Sequence, residues 1–289
     1  MPAKILTGKE PADTLLESLK PLIKKLNPKL VIVRTGSDAG SDVYIRAKLK
    51  ACERVGMRAE HRHLSPDVTK AKMLALIEEL NSDADVTGFI IQTPLPEHLW
   101  KESPLLFRAI DPKKDVDGFT AYNLGKLFLA QEFEHLPPAT PAGIITLLEY
   151  YNISVAGKHV VIVGRSNVVG KPLAMMLLHR DATVTICHSK TKNIDAYTQG
   201  ADILIAATGK ERLITGDMVK KGAVVIDVGI TRTDAGLTGD VDFERVKEIA
   251  SAITPVPGGV GPMTVASLLR NVVRAKERQT SSAPPYPSF

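Results

Sequence analysis

Only two cysteines occur in the 289 residues, Cys52 and Cys187. Their scarcity excludes a disulfide framework and makes a reducing compartment the default expectation. Long apolar runs are missing too. Leu30–Val33 and Val160–Val163 fall far short of the roughly 18 residues that a membrane-spanning helix needs. No apolar stretch follows Met1-Pro2-Ala3-Lys4, so no secretory signal is expected, and the cytoplasm is the expected location. Charge of one sign is also lacking: Lys+Arg 37 against Asp+Glu 32 leaves only +5. The basic residues are scattered through Lys24-Lys25, Lys113-Lys114, Lys190 with Lys192, Lys220-Lys221 and Arg270 to Arg278. Without a clustered basic face or a DNA- or RNA-binding motif, neither nucleic acid nor membrane is expected as a partner. No repeat of fixed period is evident.

What is present is a globular composition, 44% hydrophobic and 24% charged, with enough apolar surface for a core. The length predicts two domains. Short apolar runs alternate with amphipathic stretches, the pattern of α/β units with parallel sheets. Leu15 to Leu26 recur at helical spacing, with Pro21 expected to kink or stop the helix. Strands are predicted at Leu30–Val33, Arg58–Leu64 and Val86–Gln92. Helices are predicted from Ser41, as N-cap, to about Val55, and over Lys70–Leu80, with shorter ones near Leu105–Ile110 and after Tyr122. Thr140-Pro141 reads as a second N-cap followed by proline at the first helical position, opening a helix to Tyr151. A denser section follows. Its predicted strands are Val160–Val163, Thr183–Cys187, Ile203–Ala207, Val224–Val228 and Ala252–Val256. Its predicted helices are Gly170–His179, Asp217–Lys221, Phe243–Ala250 and Met263 to about Lys276. Thr280–Phe289 reads as a loose Ser/Pro-rich tail. The domain boundary is placed near Pro137-Pro138.

Val160 to Pro172, VVIVGRSNVVGKP, is a strand, a tight turn and a helix start, the place where a dinucleotide's pyrophosphate meets unpaired helix N–H groups. The spacing departs from G-x-G-x-x-G: Ser166 stands at the second glycine, and Gly170 comes one place late. Alone, it is equally an ordinary turn that needs glycine's freedom. The second strand ends in Cys187-His188-Ser189-Lys190-Thr191-Lys192, with no acid to hold a ribose 2′-hydroxyl. Arg165, His188, Ser189 and Lys190 instead offer the donors that suit a 2′-phosphate, pointing to NADP.

Tyr44 and Lys48 stand four apart on one side of a predicted helix. By spacing alone a tyrosine packed on a lysine stem is the better explanation. Gln92-Thr93-Pro94-Leu95-Pro96 leaves a buried strand where parallel sheets meet ligands. Lys114-Asp115-Val116-Asp117-Gly118-Phe119 sets two carboxylates in a glycine-turned loop. Thr254 to Thr264, TPVPGGVGPMT, has little ordinary packing value and suits a rigid ligand cradle.

In this order, SDVYIRAKLKAC, IIQTPLP, KDVDGF, PATPAGI, VVIVGRSNVVGKP, TVTICHSKT, GAVVIDVGI, GDVDF and ITPVPGGVGPMTVA resemble the bifunctional methylenetetrahydrofolate dehydrogenase/methenyltetrahydrofolate cyclohydrolase family, from about Leu30 to Val273. The resemblance implies two α/β domains flanking a cleft. Residues 1–138 with 264–289 would bind folate, and 139–263 would form a Rossmann-type NADP-binding domain. It implies NADP-dependent oxidation of 5,10-methylenetetrahydrofolate and hydrolysis of the product to 10-formyltetrahydrofolate, in one-carbon metabolism that feeds purine biosynthesis. The alternative is a dehydrogenase without cyclohydrolase activity. By resemblance Lys48 is the central catalytic residue, with Tyr44, Gln92 and Asp117 around it. Pro94, Leu95, Gly258, Gly259 and Pro262 join Tyr44, Gln92 and Asp117 in binding substrate. Thr140, Gly164, Arg165, Ser166, Val169, His188, Ser189 and Ile230 would carry NADP. No metal is implied, and the implied assembly is a homodimer through the NADP-binding domains. The chain departs from the family at Thr93, where leucine is usual, at Ala139, where cysteine is frequent, and at Thr7-Gly8-Lys9.

Overall fold

The computed structural model describes residues 2–36, 39–233 and 236–281. In chain order the elements begin β1 (Lys4–Ile5), α1 (Lys9–Leu26), β2 (Lys29–Thr35), α2 (Ala39–Val55), β3 (Arg58–Leu64), α3 (Lys70–Ser82) and β4 (Gly88–Ile91). Next come α4 (Glu97–Trp100), α5 (Ser103–Arg108), α6 (Ala121–Leu129), α7 (Ala139–Tyr150), β5 (His159–Val163), α8 (Gly170–Leu178) and β6 (Thr183–Cys187). The chain continues through α9 (Asp195–Thr198), β7 (Ile203–Ala206), β8 (Val224–Asp227), β9 (Thr231–Thr233), β10 (Gly236–Thr238), α10 (Phe243–Val246), β11 (Ala252–Ile253) and α11 (Val260–Thr280).

Two compact units result. One takes the described residues within Leu15–Lys126, Glu134–Ala139 and Leu268–Phe289. Its sheet is parallel, in the order β3-β2-β4. The apolar run of β2 is buried because both sheet faces are covered, as parallel sheets require. Val31, Val33, Phe89 and Ile91 pack with Met73, Ile77 and Leu80 of α3 and with Leu106 of α5. Pro21 does not break α1. It lies exposed, while Leu16, Leu19 and Ile23 hold the other face buried. The chain after β4 is tied down by buried groups. Lys114 Nζ donates to the carbonyls of Leu80 (2.8 Å) and Asp83 (2.6 Å), which lie at the C-terminal end of α3. Asn271 Nδ2 donates to the carbonyls of Val116 (2.9 Å) and Pro137 (2.8 Å).

The other unit takes the described residues within Met1–Thr14, Leu127–Phe133 and Thr140–Ser267. Its sheet runs β1-β11-β8-β7-β5-β6, parallel throughout. Val161, Val163, Leu204, Ala206, Val225 and Ile253 build its core. β1 pairs with β11, Lys4 opposite Ala252, and the Ala3 N–H donates to Lys247 O at 2.8 Å. The opening residues therefore complete the six-stranded sheet.

Local boundaries differ for identifiable reasons. α2 and α7 begin at Ala39 and Ala139, so Ser41 and Thr140 lie inside the first turn instead of capping it. Their hydroxyls meet Thr93 O (3.3 Å) and Thr264 Oγ1 (3.1 Å). The helix expected at Asp217–Lys221 is one 3₁₀ turn, Gly216–Met218. β9 and β10 form an antiparallel pair that the apolar pattern did not signal. α11 runs through Thr280, and residues 282–289 of the expected tail lie outside the described residues.

Candidate active site

Tyr44, Lys48 and Cys52 recur every four residues along α2 and so share one face. Lys48 is only 7% exposed, although lysine is rarely buried without a partner. Its Nζ donates to Gln92 Oε1 at 2.8 Å. Gln92 follows β4 directly and is held in turn, because its Nε2 donates to Thr93 O at 2.9 Å. That carbonyl also accepts from Ser41 Oγ on α2. The backbone of Thr93, not its side chain, makes these bonds, which explains why the departure at this position leaves Gln92 in place. Leu95 is buried and Pro94 exposed, and the peptide between Thr93 and Pro94 is cis.

Burial pushes the Lys48 ammonium below its ordinary value, since a low-dielectric surrounding disfavours the charged form; the Asp117 charge pulls the other way. Asp117 answers in kind. Burial raises its carboxyl to about 6, against the attraction of Lys48. Cys52 supplies no counter-charge, because burial pushes its thiol up to about 12. Burial also raises the Tyr44 phenol. The arrangement is thus an acid and a base whose charged forms are both disfavoured by burial, a condition that suits proton transfer.

The two carboxylates of the Lys114–Phe119 loop divide their tasks. Asp115, 1% exposed, accepts from the backbone N–H groups of Gly118 (2.9 Å), Phe119 (3.1 Å) and Thr120 (2.8 Å) and from Asn123 Nδ2 (2.8 Å). It is fully engaged in building the loop. Gly118 has φ +76, and a Cβ there would sit 2.5 Å from Leu136 O. The turn therefore needs glycine and leaves Asp117 to face Lys48. Sequence spacing alone does not separate the two aspartates.

In the other unit, Gly164 closes β5 with φ +134, and a Cβ on it would meet Ala207 O at 2.2 Å. A Cβ on Gly170 would meet Gly164 O at 2.1 Å. The close approach of backbone to backbone is what a nucleotide-binding turn demands, so the irregular spacing is compatible with it. Ser166 Oγ accepts from the N–H groups of Val169 (3.0 Å) and Gly170 (3.4 Å), bridging the turn to the start of α8. His188 Nδ1 accepts the Lys190 N–H at 3.2 Å and shapes the turn after β6. Arg165, Ser189 and Lys190 are exposed, and Ile230 follows β8 at the same C-terminal edge. Gly258 is anchored from the N-terminus, its carbonyl accepting the Gly8 N–H at 2.8 Å. A Cβ on Gly8 would lie 1.8 Å from Gly259 O, so Thr7-Gly8-Lys9 keeps the residue this contact needs. Pro262 lies in the first turn of α11.

Family models cover both units. The catalytic domain of tetrahydrofolate dehydrogenase/cyclohydrolase matches residues 6–117, and the NAD(P)-binding domain of the same enzymes matches residues 138–280. The chain belongs to this family. Bifunctional protein FolD of Methanosarcina mazei is 49% identical over 282 residues, which is 96% of this chain and 97% of that one. The crystal structure of FolD from Campylobacter jejuni is 43% identical with a TM-score of 0.90, over 96% of this chain and 99% of that one. Trypanosoma brucei FolD, solved with NADP and an inhibitor, is 32% identical with a TM-score of 0.92, over 98% of this chain and 100% of that one.

Among the expected site residues, Tyr44, Lys48, Gln92, Pro94, Leu95 and Asp117 fall in one unit. Thr140, Gly164, Arg165, Ser166, Val169, His188, Ser189, Ile230, Gly258, Gly259 and Pro262 fall in the other. No group of three metal-ligating side chains occurs among the described residues.

The neighbouring aspartates should respond oppositely to substitution. Asp115→Ala leaves four donors without their acceptor and should destabilise the fold by about 2–4 kcal/mol. Asp117 titrates higher in the folded chain than in the unfolded one. Between pH 4 and 6 the folded state thus keeps a proton that the unfolded state has lost, and stability falls as pH rises through that window. Asp117→Asn should remove this fall, so its stability relative to the parent chain should improve from pH 4 to 6 and then level off. Urea titrations at pH 4, 5, 6 and 7 measure both effects.

Proposed function

We propose that this chain oxidises 5,10-methylenetetrahydrofolate with NADP and then hydrolyses the methenyl product to 10-formyltetrahydrofolate. Lys48 is the proton-transfer residue of the second step. The observation that carries this reading is the buried Lys48 Nζ, 2.8 Å from Gln92 Oε1 and opposed by the Asp117 charge. Hydride transfer removes no proton from a heteroatom whereas hydrolysis must move protons, so the intact Tyr44–Lys48 pair favours both activities.

The unit bearing Lys48 binds the folate, and the unit bearing Gly164 binds the nucleotide. The close-packed turn at Gly164 and the exposed donors at Arg165, Ser189 and Lys190 fit a dinucleotide with a 2′-phosphate. Thr140, Ser166, Val169, His188 and Ile230 complete that wall. NADP, when bound, supplies the hydride acceptor. Asp117, as carboxylate, accepts the pterin N–H donors and fixes the ring, with Tyr44, Pro94 and Leu95 of the same unit beside it; Gly258, Gly259 and Pro262 are the substrate-binding residues of the nucleotide unit. In the neutral form Lys48 Nζ takes one proton from the water as its oxygen bonds to the methenyl carbon. The carbon–N5 bond then breaks, and N5 takes that proton back from Nζ. The second proton of the water leaves to solvent as the carbonyl of the N10-formyl group forms. Gln92 Oε1 keeps Nζ aimed at that water. A permanently charged Nζ would repel the cationic methenyl group, so the lowered ionisation of Lys48 serves the chemistry twice.

The assembly is a homodimer through the NADP-binding units. The cytoplasm suits two buried free thiols, Cys52 and Cys187. No helix among the described residues is long and apolar enough to cross a membrane.

Purified protein supplied with 5,10-methylenetetrahydrofolate and NADP should form reduced cofactor and 10-formyltetrahydrofolate. Lys48→Met, which retains the buried stem, should lose about 10²–10⁴-fold in cyclohydrolase while keeping measurable dehydrogenase. Methenyltetrahydrofolate should then accumulate, read from its absorbance. Hydrolysis at the parent rate would remove Lys48 from the mechanism. Separately, Arg165→Ala should weaken NADP use about ten- to a hundredfold through loss of a charge-assisted hydrogen bond, and NAD use much less. Steady-state KM values for the two cofactors decide it, and an equal loss for both would mean that Arg165 does not read the 2′-phosphate.

A further inference from the structure

A second pair of buried acids lies in the unit that carries the glycine turn. Asp227 closes β8 and is 3% exposed, and Asp240 is fully buried. Asp227 Oδ1 accepts the N–H groups of Gly229 and Asp240, each at 3.0 Å, and its Oδ2 accepts that of Val241 at 3.0 Å. The Asp227 N–H donates to Thr254 Oγ1 at 2.7 Å. Asp240 Oδ2 accepts the N–H groups of Thr208 and Gly209, the loop that follows β7. Asp240 Oδ1 is buried with no hydrogen-bond partner among the described residues.

The space around these carboxylates is closed by glycine. A Cβ on Gly229 would lie 2.0 Å from Asp240 Oδ1, and one on Gly239 would lie 1.9 Å from Asp227 Oδ2. The acids therefore rest directly on backbone, with five N–H groups aimed at three of their four oxygens. Burying a second carboxylate beside the first is unfavourable. Asp240's charge adds to burial in pushing the Asp227 carboxyl up to about 7. A pair of acids retained against that penalty is more than packing requires, because an apolar pair would fill the same volume more favourably.

Both clamped segments are at the C-terminal edge of the parallel sheet, where ligands of such sheets bind. Thr208 and Gly209 follow β7, and Gly229 and Ile230 follow β8. The glycine turn itself rests on the first of these loops, since Gly164 approaches Ala207 O too closely to admit a Cβ. We propose that Asp240, braced by Asp227, is a positioning residue for NADP: it fixes the loops after β7 and β8, and through Ala207 the glycine turn, in the shape that receives the cofactor. The inference rests on the assignment of this edge to NADP. That assignment is tested first by NADP-dependent turnover of the parent enzyme.

Asp240→Ala removes the acceptor of two loop N–H groups and should raise the KM for NADP about ten- to a hundredfold. Asp240→Asn keeps one oxygen for the Thr208 and Gly209 donors and should restore most of the loss. Hydrolysis of added methenyltetrahydrofolate, which needs no NADP, should stay within about twofold of the parent rate in both variants. A parallel fall in hydrolysis, or a KM for NADP that does not move, overturns the proposal. The unsubstituted enzyme gives an independent reading that does not depend on a variant folding. Without NADP, the Thr208 and Gly209 amides should exchange with solvent about as slowly as the amides of β7, and rapid exchange would equally overturn it.

Discussion

An amine that cannot easily be charged and an acid that cannot easily be ionised face each other in one unit of this chain. Lys48 keeps a hydrogen bond to Gln92 Oε1, yet little solvent reaches its ammonium. Asp117 attracts it but is raised by the same burial. Three structural features exist to hold this opposition: α2 presents the lysine, the end of β4 presents the glutamine, and the loop from Lys114 presents the acid. Each is fixed by backbone bonds rather than by the reacting groups themselves. The Thr93 carbonyl holds Gln92, and Asp115 gathers the N–H groups of its own turn.

The same economy of roles recurs in the nucleotide unit. Exposed donors at Arg165, Ser189 and Lys190 stay available, while Ser166 Oγ and His188 Nδ1 are spent on turns. Asp115, Ser166 and His188 spend their acceptors on backbone N–H groups, whereas Asp117, Arg165, Ser189 and Lys190, proposed to meet ligand, have side chains left open. That contrast distinguishes Asp115 from Asp117 more sharply than burial does, and it sets Asp240 apart from the surface acids. Lys48 itself keeps a hydrogen bond to Gln92 Oε1, which offsets part of the cost of its burial.

Much of the fold was legible in the sequence, and the reason is periodicity. Runs such as Leu30–Val33 and Val160–Val163 announce strands covered on both faces, and the leucines of α1 announce a helix despite Pro21. What was not legible depended on partners distant in the chain. β1 is two residues long and becomes a strand only because Ala252 and Ile253 lie alongside it. The capping assigned to Ser41 and Thr140 failed because each helix starts before the hydroxyl, which bonds elsewhere. In the site, the spacing of Tyr44 and Lys48 favoured packing over chemistry; only the resemblance to a known family turned the reading the other way. The choice of Asp117 over Asp115 came from that resemblance alone, since both sit in the same short motif. The acids of GAVVIDVGI and GDVDF stood in plain view as motif letters. Their pairing is visible only once Gly229 and Gly239 bring the two segments into contact.

The central claim is that the surroundings of Lys48 hold its amine below the ordinary lysine range. Titration of the Lys48 side chain by NMR, using lysine labelled at the ε carbon and the Lys48→Met variant to assign the resonance, tests it directly. The account predicts a midpoint below 10.5, displaced further downward in Asp117→Asn, where the opposing attraction is gone. A midpoint at or above 10.5, unmoved by that substitution, would contradict it.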